Sequence, residues 1–550
     1  MRLPWWLVLG CGLMGVGCRL VAGYEDLELT PTDGTGGAGG GVAGSGGEAG
    51  AGGSGGSGPQ VTITTLTAQP SHVVGAREVE IAWVVDNADS CEFDEGLGQA
   101  APYWGDVQVE PTTTTTYTLT CQGPGGPASD DVIVTVLGVT LTGGGGFTCA
   151  RVHNNHLKCF GSNTAGQLGV GDTDPRGDEA GEMGDVLQPI DVGSGHNVLF
   201  ADPGDEHICV ILDDNNVKCW GENSRGQLGL GITEDQGDDT GEMGDQLDWV
   251  TVGGADGIAA GGRHSCAKLL NGNVKCWGAN DQGQLGLGHD SDLGGGSTDM
   301  QNVLEVLLGT GRTATAVVAG TAHSCALLDN STVKCWGANQ LGQLGQEHQN
   351  ALGDGSGEMG DALLPVDLGT GRTATAIGAA GDHTCALLDN SHVKCWGDNS
   401  RGQLGTGDAV NHGEAANTMG DALLQVDLGT GRTVQAIAIG GAHGCALTDN
   451  DRVKCWGANG HGQLGLGDQL DRGNAMVELG DNLGFVELGA QYTVLSIGAG
   501  SHHSCAVIDD GTVRCWGRNS SGELGLGDTF DRGVNQGQMG DSLSLVDITP

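Results

Sequence analysis

Basic residues are scarce in this sequence: 23 Lys and Arg stand against 69 Asp and Glu, a formal net charge of −46. Binding to phosphate backbones needs a basic surface, so this deficit excludes a nucleic-acid partner. Aromatic residues make up only 4% of the chain, with four Tyr in all. No segment carries the 3.6-residue apolar spacing of an amphipathic helix, which excludes helical solenoids. The longest apolar run, Leu3 to Val16, is too short for a stable membrane span. Also missing are a nucleophile with its base, a Gly-rich phosphate loop and a paired-carboxylate signature that stand apart from the repeating pattern. An active site should interrupt such a pattern, and nothing in the sequence does, so the chain reads as no enzyme.

What the chain has in abundance is glycine, with 106 residues, and one repeated stretch, clearest from His323 to Glu347. Copies begin at Cys149, Cys209, Cys266, Cys325, Cys385, Cys445 and Cys505, at steps of 60, 57, 59, 60, 60 and 60 residues. A period in this range marks a solenoid or a propeller. Cys325 to Leu328 and Thr332 to Cys335 flank the turn formers Asp329, Asn330 and Ser331, which predicts a hairpin. The last loop position should be left-handed, and its occupants are Asn155, Asn215, Gly272, Ser331, Ser391, Asp451 and Gly511. This register sets the two cysteines of each hairpin opposite each other at a non-hydrogen-bonded pair, within disulfide reach. Seven bridges follow: Cys149 to Cys159, Cys209 to Cys219, Cys266 to Cys276, Cys325 to Cys335, Cys385 to Cys395, Cys445 to Cys455, and Cys505 to Cys515.

Two further runs, Leu364 to Leu368 and Ala376 to Ala380, give four strands per repeat. Four strands, seven repeats and no helical pattern predict a seven-bladed β-propeller over 139–550. The chain ends on Leu543 to Ile548, a strand of the type that precedes each hairpin, so it is expected to join the first blade and latch the ring.

The segments Gly166-Gln-Leu-Gly-Val-Gly171, Gly226-Gln-Leu-Gly-Leu-Gly231, Gly283-Gln-Leu-Gly-Leu-Gly288, Gly402-Gln-Leu-Gly-Thr-Gly407 and Gly462-Gln-Leu-Gly-Leu-Gly467 each follow a Cys-Trp-Gly or Cys-Phe-Gly stretch. They resemble the repeat of the regulator of chromosome condensation family. Gly342-Gln-Leu-Gly-Gln-Glu347 and Gly522-Glu-Leu-Gly-Leu-Gly527 are variant copies. The resemblance covers about three quarters of the chain and implies a seven-bladed propeller. It does not fix the activity, because the family includes nucleotide exchange factors, photoreceptors and a β-lactamase inhibitor.

Ahead of the repeats, 1–18 reads as an export signal: Arg2, the apolar run, then Gly15-Val-Gly-Cys18. Its end resembles a bacterial lipoprotein box, which makes Cys18 the lipidated first residue, and Arg19 after it implies sorting to the outer membrane. Residues 19–60 are a Gly/Ser-rich tether that cannot bury a core. Residues 61–138 alternate as strands and resemble bacterial immunoglobulin-like modules, which implies Trp83 in a central strand and a bridge between Cys91 and Cys121. Disulfides persist in oxidising compartments, in keeping with export.

Three series recur with the repeat. His207, His264, His323, His383, His443 and His503 lie two residues before a hairpin cysteine, where a ring of them would suggest a metal; the competing account is backbone bonding within each blade. No zinc-type spacing occurs. Lys158, Lys218, Lys275, Lys334, Lys394, Lys454 and Arg514 are expected to pair with acidic strand residues such as Asp367 or Glu487, the alternative being an anion-binding ring. Trp220, Trp277, Trp336, Trp396, Trp456 and Trp516 are expected in the core between blades rather than as a sugar platform.

The acidic loops after each Gly-Gln-Leu-Gly are where binding specificity is expected, with Asp185, Asp245, Asp361, Asp421, Asp481 and Asp541 at their ends. No cofactor is expected. Calcium is conceivable there, but Asp172 to Gly177 lacks the full ligand set of an EF-hand loop. The function expected is that of a monomeric, non-catalytic envelope lipoprotein whose loops bind a protein or glycan. The alternatives are a secreted carbohydrate-active or lyase-type enzyme with a site in the funnel, and a nucleotide exchange factor.

Overall fold

The computed structural model describes residues 59–69, 72–74, 79–109, 111, 115–137, 139–152, 155–489 and 492–548. The expected export signal, Cys18 and nearly all of the tether lie outside them. Among the described residues the fold is all-β with short 3₁₀ turns and one four-residue helix, Asp299–Asn302. It divides into two compact units between Val136 and Leu137.

The first unit is a sandwich. Thr62–Gln69, Val79–Asp86 and Trp104–Val109 form one sheet. His72–Val74, Ala128–Leu137, Thr115–Gln122, Ser90–Phe93 and Gly98–Ala100 form the other. Strict alternation buries Val79, Ile81, Trp83 and Val85, and Trp83 meets Phe93 of the opposite sheet edge-on at 5.1 Å. Cys91 and Cys121 are bonded. They are register partners in one sheet, so this bridge staples a sheet and does not join the two layers as it does in antibody domains.

In the second unit each repeat folds as three antiparallel strands, for example Ala314–Ala319, His323–Leu328 and Val333–Gly337. Seven such sheets follow one another. The inner strand of each packs against that of the next, and Val494–Ala499 returns to Thr140–Gly143. These are the repeated sheets of a β-propeller. Within every hairpin the cysteines are register partners and disulfide-bonded, with Cα atoms 4.0 to 4.1 Å apart. All seven last loop positions have positive φ, including Ser331 and Ser391, at 63° and 61°.

Two expectations are corrected. The run at Leu364 to Leu368 is not a strand: it makes one backbone bond to its hairpin, from Val366 N to Val333 O at 2.8 Å. Its other carbonyls have different partners, since Gly420 N donates to Asp367 O at 3.0 Å and Lys394 Nζ to Leu368 O at 3.0 Å. With its polar groups met by a loop and a lysine, the run buries Val366 and Leu368, beside Leu363 just before it, without extending the ladder. The second correction follows from the first. This run belongs to the hairpin before it, so the terminal segment pairs in its own sheet, Val546 N to Val513 O at 2.9 Å, and does not enter the first. It touches the first repeat through Gly184 N to Asp547 O, 2.9 Å, the same bond every other junction but one makes.

Candidate functional site

The repeated polar side chains meet at the seams between neighbouring sheets. His207 Nε2 lies 2.9 Å from Ser265 Oγ of the next sheet, and that hydroxyl donates to Gln227 O at 2.9 Å. The hydroxyl proton is therefore committed, and the imidazole donates through Nε2–H. The same carbonyl accepts Trp277 Nε1 at 2.9 Å. This arrangement recurs for His264 with Ser324, His323 with Thr384 and His443 with Ser504. At the closing seam it recurs for His503 with Thr148, without the Trp because Phe160 stands there. Five of the six histidines thus bond across blades, and each of the six is wholly buried. Burial pushes them down to about 3 for His207, His323, His443 and His503 and to about 4 for His264 and His383, so they are neutral.

Sequence reasoning missed these pairs, although a signal was present. Phe147, without a ring nitrogen, shares a core cluster with Ile208, which replaces the hydroxyl in the following sheet. One exception stands: His383 faces a sheet with Gly444 at the hydroxyl position, and neither of its nitrogens has a hydrogen-bond partner. Thr384→Ala should leave the buried His323 Nε2 without its partner. A loss of about 1 to 3 kcal/mol is expected in urea unfolding, with a clearly smaller loss for Thr375→Ala on a half-exposed position.

Six of the seven members of the basic series are also internal, Lys275 being half-buried. Lys158, Lys218, Lys334, Lys394 and Lys454 donate to the carbonyls of Gly184, Gly244, Gly360, Gly420 and Gly480 at 2.7 to 3.1 Å, and Arg514 donates to Gly540 O. Glu487, an expected lysine partner, pairs with Arg452 at 3.2 Å. Burial lowers the Lys394 ammonium, and Asp421 and then Asp367 oppose that shift.

The acids at the loop ends largely act as staples. Asp245, Asp421 and Asp481 each accept both the backbone N–H and the hydroxyl of Ser194, Thr370 and Thr430, in the turn of the preceding repeat, at 2.6 to 2.9 Å. Asp361 does the same for Thr310. These bonds hold the Asp421 carboxyl below its usual range. Asp541 sits against the Gly489 turn, and Asp185 is exposed.

Beyond these staples the loops differ from repeat to repeat, and they are joined edge to edge. Gly171 N donates to Gly237 O at 3.0 Å, Gly407 N to Gly473 O at 3.0 Å, and Gly527 N to Gly177 O at 2.9 Å across the closing seam.

Residues 201–542 match the family model described as the RCC1-like domain. The chain belongs to the RCC1-like domain family. It is 27% identical over 413 residues to the ultraviolet-B receptor UVR8 of Arabidopsis thaliana, covering 74% of this chain and 82% of the receptor. To the human E3 ubiquitin-protein ligase HERC2 it is 28% identical over 361 residues, 66% of this chain but 7% of the ligase. Among solved structures, human WBSCR16 superposes with a TM-score of 0.49 at 20% identity, covering 69% of this chain and 88% of that one.

The RCC1-like unit encloses an axial cavity of about 400 Å³ lined by the inner strands. A funnel enzyme calls for a cluster of His, Tyr or Glu here. Among the described lining residues the ionisable ones are Arg151, Asp202 and Asp205. Asp202 stands where the other sheets have Thr142, Ala259, Val318, Gly378, Ala438 and Gly498. It caps Ala260 N at 2.8 Å, and burial raises it to about 7. A grouping with metal-ligand spacing occurs at His196, Asp213 and Asp214 on the outside of the RCC1-like unit. His196 occupies the place of Arg312, Arg372 and Arg432, which pair with the equivalent Asp329, Asp389 and Asp449, so the grouping repeats a turn-to-hairpin ion pair. In the stretch weighed for calcium, the Asp172 carboxylate is held by Arg176 at 2.6 Å and by Asn163 at 3.2 Å.

Proposed function

We propose that this protein is an exported, non-catalytic binding module. In this reading a seven-bladed propeller is carried on an immunoglobulin-like spacer and a Gly-rich tether, with Cys18 lipidated in a bacterial outer membrane, and its loop face takes a protein or glycan. One observation carries the reading. The His, Ser or Thr, Trp and Lys side chains that recur with the repeat are bonded inside the fold, which leaves the dissimilar loops as the surface on which partners can be distinguished. Sixteen cysteines in eight disulfides support export.

Chemical cross-linking of the full-length protein in envelope extract tests the reading, with a specific adduct expected and an adduct-free result counting against it. Mass spectrometry of the mature amino terminus tests the anchor: a lipid-modified Cys18 is expected, and an unmodified terminus beyond Cys18 contradicts it. Calcium has no part in this account, so melting temperatures in calcium and in chelator should coincide.

A further inference from the structure

Fifteen residues after the second cysteine of each hairpin, the loop presents a single tip residue: Asp174, Glu234, Ser291, Asn350, Val410, Leu470 and Phe530 in chain order. Six of the seven tips are fixed the same way. The tip N–H donates to a side chain two residues earlier: Asp172, Asp408, Asp468 and Asp528 Oδ1 at 2.9 to 3.1 Å, and His289 and His348 Nδ1 at 3.2 Å. For Leu470 and Phe530 the tip carbonyl is gripped as well, by Arg472 and Arg532 Nη1 at 2.6 Å. The backbone is thus held alike while the side chain changes, and it changes in order around the ring: four polar tips, then three apolar ones. Val410, Leu470 and Phe530 are 59%, 67% and 71% exposed.

We propose that these three tips, together with the acidic first and second loops, form a docking arc for a protein segment that is both apolar and basic. This deepens the platform reading above and rests on it. The arc is continuous. The fifth and sixth loops are joined by Gly407 to Gly473, and His461, in the turn after the sixth hairpin, meets Asp531 beside Phe530 at 2.9 Å. The seventh loop is joined to the first by Gly527 to Gly177, and the first to the second by Gly171 to Gly237. The first two loops each carry six carboxylates, over Gly171 to Asp185 and Gly231 to Asp245, with Arg176 as the only base in either. Crowding is evident there, where burial and Glu182 raise the Asp178 carboxyl. Apolar tips running into twelve carboxylates that only Arg176 offsets within the two loops complement a partner with apolar anchors and Lys or Arg beside them. The net charge of −46 disfavours an anionic lipid surface as occupant. Tips already held in place lose little conformational freedom on binding, as suits anchor residues.

The test uses the full-length protein and a fluorescent 14-residue peptide of Leu and Lys at helical spacing, with a Ser and Lys peptide of equal charge as its control. Tight binding of the Leu/Lys peptide is expected, at least tenfold weaker for the Ser/Lys peptide and weakened by salt. The triple variant V410D/L470D/F530D should lose at least tenfold with an unchanged melting temperature, and the single variant F530S a smaller factor. The triple variant L304D/L364D/L424D, on exposed rim leucines, should bind as the parent does. The inference is overturned if the Leu/Lys peptide does not bind, if the tip variants bind it normally, or if rim and tip variants lose equally. Tip-dependent binding to phosphatidylcholine vesicles would also overturn it, in favour of a membrane contact. In each case the platform reading survives as long as the full-length protein still forms a specific adduct in envelope extract.

Discussion

Urea unfolding in the presence of a thiol reductant is expected to occur at a far lower midpoint than unfolding of the oxidised protein. Every hairpin cysteine is 2% exposed or less, so reductant alone should leave the folded protein's circular dichroism spectrum unchanged, and the difference appears once urea opens the sheets. Each bridge closes a loop between cysteines ten residues apart, for which the chain-entropy model gives about 2 to 3 kcal/mol. Seven of them together are large beside the stability of an ordinary domain, about 5 to 15 kcal/mol. The reason the fold needs them lies in its sheets. Each has only three strands, and the fourth run contributes a single ladder bond, so the cross-link does locally what a wider sheet would do by pairing. Coinciding midpoints with and without reductant would contradict this account.

Stability should fall steeply as the pH drops below about 6.5. Six seam histidines have folded values near 3 or 4 because they are buried, against 6.5 when unfolded. Between those limits the unfolded chain binds protons that the native seams refuse, so each histidine removes about 1.4 kcal/mol per pH unit on acidification. Asp202 acts in the opposite sense. Its folded value near 7 against 3.8 unfolded favours the native state at low pH and withdraws that support as the pH rises toward 7. Asp178, Asp205, Asp235, Asp354 and Asp382, raised by burial, act in the same direction, but among the buried groups shifted by several pH units Asp202 stands against six histidines. Urea unfolding at pH 6.5, 5.5 and 4.5 measures the slope, and His323→Asn should flatten it by about one histidine's share. A slope near zero would mean that the histidines are not buried as neutral donors.

The hairpins and their disulfides were legible because everything that determines them is local. Turn residues at Asp329 to Ser331 set the register, and the register sets Cys325 opposite Cys335. The seams were not legible, because His323 and Thr384 are 61 residues apart, and a His two positions before a cysteine carries no mark of its partner. The compensating change of Phe147 with Ile208 was the available sign. The run at Leu364 to Leu368 was misread because strand and capped extended segment share one apolar pattern, and what separates them is whether a strand or a lysine and a loop meet the carbonyls. The stapling role of the loop-end acids was not legible for a similar reason. Asp421 is visible in the sequence, whereas Thr370, which engages both its oxygens, belongs to the preceding repeat.

A photo-reactive phenylalanine analogue placed at residue 530 tests the division between a structural wheel and a recognising loop arc most directly. Irradiated in envelope extract, the full-length protein is expected to give one protein adduct whose cross-linked peptide combines apolar and basic residues. The same analogue at residue 364 on the rim should give none. Equal adducts from both positions, or an adduct at 364 alone, would contradict the account.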